Sequence, residues 1–105
     1  MSQSRAPVTQ SATAAADGTA AVTFRSRGPH VWEATQIGVR MPASGAAIGQ
    51  MLFNGSPVSP FVPAQDAVAG TPSQYLGPGD EITMAVTGAT PGSVLTCAMF
   101  YNQLD

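Results

Sequence analysis

The stretch VWEATQIGVRM, Val31 to Met41, and its counterpart VLTCAMFY, Val94 to Tyr101, decide the fold. Both are dense in β-branched and aromatic residues and close to alternation, so both read as strands. In the first, Val31, Ile37, Val39 and Met41 share a parity with Glu33 and Thr35, while Trp32 and Ala34 share the other with Gln36, Gly38 and Arg40. A bulge at Thr35–Gln36 would let the first half of the strand shift face. In the second, Leu95, Cys97, Met99 and Tyr101 oppose Val94, Thr96, Ala98 and Phe100, and both parities are apolar enough for burial. These are the central strands of a sheet.

Upstream, Asp17-Gly18 is a turn signal, and TAAVTFR from Thr19 to Arg25 alternates Ala20, Val22 and Phe24 against Ala21, Thr23 and Arg25, as a half-buried strand does. Ser26 to His30 holds a Gly-Pro pair and reads as a loop. Downstream, Pro42 to Ala46 breaks the first central strand, and Ala47 to Phe53 sets Ile48 and Leu52 against Met51 and Phe53. Asn54-Gly55 is the strongest hairpin signal, because both central positions of a type I′ turn need positive φ. The segment after it, PVSPFVP, carries Pro57, Pro60 and Pro63. Proline removes backbone donors, so this segment belongs on a sheet edge rather than in a sheet interior, and the edge reading is preferred to a proline-rich ligand motif. Ala64 to Leu76 reads as a long loop with one short strand. Gly77-Pro78-Gly79-Asp80 is a tight turn, Glu81 to Thr87 an alternating strand, and GATPG, Gly88 to Gly92, the turn into the last strand.

The tally of six to eight strands near ten residues apart, with no helix signal, predicts an all-β chain: a single antiparallel β-sandwich or jelly-roll-like domain over residues 17–105. Residues 1–16, rich in Ser, Thr, Gln and Ala, read as an extended N-terminal arm reaching toward a neighbour. On that reading, removing the arm leaves the sandwich folded and weakens attachment.

Length and composition narrow the function. At 105 residues there is room for one domain. Charged residues make up 10%, against about 25% in an average soluble chain, and Arg5, Arg25, Arg27 and Arg40 are the only Lys or Arg. Bias toward Ala, Gly, Pro and Arg, as a high-GC genome produces, accounts for the missing lysine but less well for the scarcity of Asp and Glu. A neutral surface is depleted of charge in the way protein–protein contacts are, which hints at assembly. A net charge of −2 without a basic cluster argues against a nucleic-acid surface, and no DNA or RNA partner is expected. With one cysteine, Cys97, no internal disulfide forms, and no run approaches the roughly 18 apolar residues of a membrane span. The N-terminus lacks the apolar core of a signal peptide, so synthesis and folding in a cytoplasm are expected, with no membrane partner.

No catalytic, cofactor or metal constellation is visible. His30, the sole histidine, sits beside Pro29 and reads as a solvent-exposed loop residue rather than a triad member. Cys97, mid-strand in an apolar run, reads as an inert buried thiol. Asp66, Asp80 and Glu81 are the carboxylates able to cluster, but their spacing fits no known calcium loop; the plainer reading is that Asp80 caps a turn and Glu81 faces solvent. Trp32, with Tyr75 and Tyr101, could form a sugar platform, but a tryptophan on a central strand more often serves the core. Asn54-Gly55-Ser56 fits a glycosylation sequon yet stays unmodified without secretion.

Taken together, GTAAVTFR, VWEATQIGVRMP, FNGSPVSPFVP and LGPGDEITMAVTGATPG resemble the small β-sandwich virion proteins encoded by tailed phages of high-GC bacteria, over about Asp17 to Tyr101. The resemblance lies in strand and turn order: a Trp-led strand, an Asn-Gly hairpin, a Pro-Gly-Asp turn and a late Pro-Gly turn. It implies a decoration protein on the outer capsid surface, often a trimer, clamping neighbouring copies of the major capsid protein, and no catalytic residues. Arg5, Pro7 and Val8 in the arm and Pro57, Pro60 and Pro63 in the edge segment are the expected partner contacts. The alternative is a tail-tip or fibre module binding host carbohydrate.

Overall fold

A computed structural model describes residues 2–26, 30–41, 47–61, 63, 67–69 and 74–104, with side chains for all of these except 2–7, 67–69 and 74. The described residues form nine strands: β1 (Ser2–Thr13), β2 (Ala20–Arg25), β3 (Val31–Arg40), β4 (Ile48–Phe53), β5 (Ser56–Phe61), β6 (Ala67–Ala69), β7 (Gln74–Leu76), β8 (Glu81–Thr87) and β9 (Val94–Leu104). One sheet runs β1-β9-β3-β6, with β7 also pairing β3, and the other runs β2-β8-β4-β5. The chain is therefore an all-β antiparallel sandwich.

The pairings follow from a single long ribbon. Asn54 (φ 51°) and Gly55 (φ 85°) turn the chain back at the β4–β5 hairpin, as the type I′ signal requires. From that end the two halves of the chain pair in nested order: β4 with β5, β3 with β6 and β7, β2 with β8, and β1 with β9. Rolling the ribbon sets β9 against β3 and β8 against β4, which completes both sheets in the jelly-roll wrap.

The central strand shifts face where its sequence demands it. The register of β3 against β9 slips between Ala34 and Gln36. Before the slip Trp32 and Ala34 are buried; Thr35 and Gln36 are both exposed; after it Ile37 and Val39 are buried. One extra residue thus keeps both apolar halves on the core face. Opposite them lie Val22, Phe24, Met51, Ile82, Met84 and Val86 from the second sheet. Burying each such large side chain contributes about 1.5–3 kcal/mol. The exposed Arg25–Glu81 ion pair, 2.7 Å long, contributes at most about 1 kcal/mol. Packing between the sheets, not surface charge, holds the fold.

Three expectations are corrected. Residues 2–13 are extended, but as an edge strand of their own sheet: β1 pairs with β9 from Ser2↔Leu104 to Thr13↔Val94, Val8 and Ala12 pack on the core, and Ala14 is buried. A polar strand docks here because every second residue turns inward and these inward residues include Val8 and Ala12. Of the segment expected to hold one short strand, the described residues 67–69 and 74–76 form two, β6 and β7, and both pair with β3. β9 buries only its odd-numbered parity; Val94 and Phe100 are exposed, because a two-layer sandwich covers each sheet on one face.

Candidate contact surface

The outer face of the β9 sheet carries three exposed large apolar side chains, Val94, Phe100 and Tyr75. Alternation along β9 turns Val94, Thr96, Ala98 and Phe100 outward. Their neighbours across the sheet are Thr13, Ser11 and Thr9 on β1 and Arg40, Gly38 and Gln36 on β3. Tyr75, opposite Glu33, extends the face at its β7 edge. Among the described residues the charges on this face are Glu33 and Arg40, toward opposite ends of β3. Small side chains leave the middle flat: Ser11 and Thr96 hydroxyls lie 3.0 Å apart, and Gly38 sits opposite Ala98. Two aromatic rings stand out of this plain, Phe100 at 41% and Tyr75 at 58% exposure. The Phe100 backbone carbonyl accepts from Thr35 Oγ1 at 3.2 Å, which holds the bulge beside it.

The expected contact residues divide. Pro57 and Pro60 lie exposed on β5, which is the outermost strand of its sheet, with exposed Val58 between them. Pro63 is buried, so it cannot serve as a contact. Val8 is half-buried against the core, so it anchors β1 and does not reach a neighbour. Arg5 pairs through its backbone with Tyr101, and Pro7 falls within the register shift between Arg5 and Val8; the side chains of both lie outside the described residues. Phe100 escaped the sequence reading because its strand looked buried on both parities. The sandwich architecture itself, predicted from the same sequence, was the signal that one parity must face out.

The remaining polar groups are structural. Asp80 accepts from the Gly77 backbone N–H at 2.9 Å and from Asn54 Nδ2 at 3.0 Å, and these bonds, Asn54 first, hold its carboxyl below the ordinary value. Asp17 is lowered likewise by the Thr19 hydroxyl and then by the Thr19 backbone N–H. Glu81 pairs with Arg25. Among the described residues no three His, Cys, Asp or Glu side chains converge, and Asp66 lies outside them. His30 is half-buried at the entry to β3, not solvent-exposed as its loop context suggested. Cys97 is fully buried, and desolvation pushes its thiol up to about 12.

Trp32 is 3% exposed and stacks on Tyr101 with ring centroids 4.1 Å apart, so its indole offers no face to a sugar. Its Nε1 is buried without a partner. A groove of about 400 Å³ lined by Val8, Gln10, Thr23, Arg25, Ser26 and Trp32 opens between β1 and β2, where the two sheets end side by side. Compared with family models, with curated proteins and with solved structures, the chain finds no match in any of the three.

Proposed function

We propose that this chain is a structural protein of a phage virion: a decoration protein that binds the outside of the assembled shell and stabilises it through non-covalent contacts with the major capsid protein. The observation that carries this reading is the outer face of the β9 sheet, where Phe100 and Tyr75 are exposed and the described charges, Glu33 and Arg40, stand toward opposite ends of β3. Protein contacts are enriched in aromatics and depleted of charge at their centres, and the centre of this face, between Glu33 and Arg40, has that composition among the described side chains. The resemblance in strand and turn order supplies the setting. Mechanistically, a protein that binds the assembled shell and not its free subunits stabilises the shell by linkage, increasing with the logarithm of its concentration over Kd. The reading needs no cofactor and no catalytic residue.

The test is occupancy. Phe100→Asp and Tyr75→Asp place charge in the middle and at the rim of the face without touching the core. Each is expected to lower occupancy on purified shells at least tenfold in apparent Kd, which corresponds to about 1.4 kcal/mol. Unchanged occupancy for both would remove the face from the account.

Jelly rolls also occur in sugar-binding domains. One observation favours that second reading, the exposed ring of Tyr75. It moves the proposed sugar platform from Trp32 to Tyr75, and glycan-array binding lost in Tyr75→Ala would support it.

A further inference from the structure

The edge strands are guarded unevenly along their length. β5 closes one end of its sheet with Pro57 and Pro60, which cannot donate to an incoming strand. β1 closes one end of the other sheet with no such device between Val8 and Thr13: the run VTQSAT holds no proline and no charge. Arg5, Pro7 and the register shift between Arg5 and Val8 guard the first half of β1, and the run after them is left without a guard of its own.

The backbone shows which groups are free. Ala14 turns both its N–H and its C=O toward the β9 side, donating to Ser93 O at 2.8 Å and accepting from Gly92 N at 3.0 Å. Strand alternation then directs the N–H and C=O of Ala12, Gln10 and Val8 toward β9, and those of Thr13, Ser11 and Thr9 away from it. The close Ser11–Thr96 hydroxyl pair agrees, since side chains approach most closely at the non-hydrogen-bonded positions of an antiparallel ladder. Among the described residues no strand pairs with that outward side of β1.

We propose that a second copy of this chain fills it, β1 pairing antiparallel with its own copy about a two-fold axis at Ser11. The run is self-complementary in this register. Ser11 meets Ser11 of the copy, and Thr9 meets Thr13, so every outward-facing residue meets another and each pair exchanges both backbone bonds. Thr–Thr is a favourable cross-strand pair, and with no charge in the run no like charges are brought together. The window is bounded on one side by the irregularity between Arg5 and Val8 and on the other by the turn that follows Ala14. The result is one continuous sheet through both copies, β3-β9-β1 joined to β1-β9-β3, with the two outer faces side by side. The contact is isologous, so it closes at two chains. This goes beyond the shell reading and stands without it.

The test combines sedimentation equilibrium of the full chain with amide hydrogen exchange followed by NMR. The expected mass is twice the 10.7 kDa of one chain. The amides of Thr9, Ser11 and Thr13 should exchange at least tenfold more slowly at high than at low protein concentration. Ser11→Pro removes an outward donor while leaving the β1–β9 ladder intact, as prolines do on β5. It should give the mass of one chain with an unchanged circular dichroism spectrum. If Ser11→Pro fails to fold, Thr9→Lys introduces charge at the same edge and should have the same effect on mass. A single-chain mass up to millimolar concentration overturns the proposal. So does any oligomer in which those three amides exchange as freely as unpaired ones, or protection that appears only when shells are added.

Discussion

Asn54 and Asp80, 26 residues apart, join two turns: Asn54 Nδ2 donates to Asp80 Oδ1 at 3.0 Å, and the Glu81 backbone N–H donates to Asn54 Oδ1 at 2.8 Å. The Asn54 backbone N–H completes the latch by donating to Glu81 O at 2.9 Å. The β4–β5 hairpin is thereby fixed to the turn that opens β8.

The latch makes a pH-dependent contribution. The Asp80 carboxyl is held below its ordinary 3.8, so the contribution is present above that value and is lost as pH falls through the lower folded-state value. Asn54→Gly keeps the positive φ and removes the side chain. In this variant Asp80 is expected to titrate closer to 3.8 by NMR, and the stability lost on acidification to become smaller. An unmoved titration would contradict the latch.

Gly49 lies opposite Phe61 across the β4–β5 ladder, and a Cβ on Gly49 would fall in the space the ring occupies. The ring folds over the bare backbone and covers it. Gly49→Ala is expected to cost about 1–3 kcal/mol, since overpacking forces the ring from its place. Adding Phe61→Ala should make the double variant less destabilised than the sum of the two single ones, measured by urea unfolding. Additive effects would show that the ring and the glycine act independently.

Most of the fold was legible because its signals are local. The bulge at Thr35–Gln36 follows from the change of parity between Trp32 and Ile37, the hairpin from Asn54-Gly55, and the edge position of β5 from its prolines. The docking of β1 was not legible, since Val8 and Ala12 are a sparse inward pattern whose value depends on a partner strand nearly ninety residues away. The Asn54–Asp80 latch was hidden for the same reason: each residue explains itself locally as a turn former, and only the rolled ribbon brings the turns together. The contact face lay between these cases. Its alternation was visible in Val94–Tyr101, but which parity faces out depends on which side the second sheet covers.

Because β1 belongs to the sheet, truncation should be costly. Deleting residues 1–13 uncovers the edge of β9 and removes Val8 and Ala12 from the core cluster. The truncated chain is expected to lose its cooperative thermal transition, read by circular dichroism. Retention of the full-length melting temperature would restore the arm to the role of a detachable tether.

Cys97 reports on the core directly. Its thiol is fully buried and pushed up to about 12 by desolvation, so little thiolate exists at pH 8. Alkylation by iodoacetamide is expected to be negligible in the folded protein and complete in denaturant. Rapid modification under native conditions would mean that the β9 sheet opens far more readily than its packing implies.

The most direct test of the shell reading is the copy number of this protein in purified particles, measured by quantitative mass spectrometry against the major capsid protein. A decoration protein is expected near one copy per capsid subunit. Its absence from particles, or a ratio of a few per cent, would contradict placement on the shell; the low ratio would favour the tail and the sugar-binding reading centred on Tyr75.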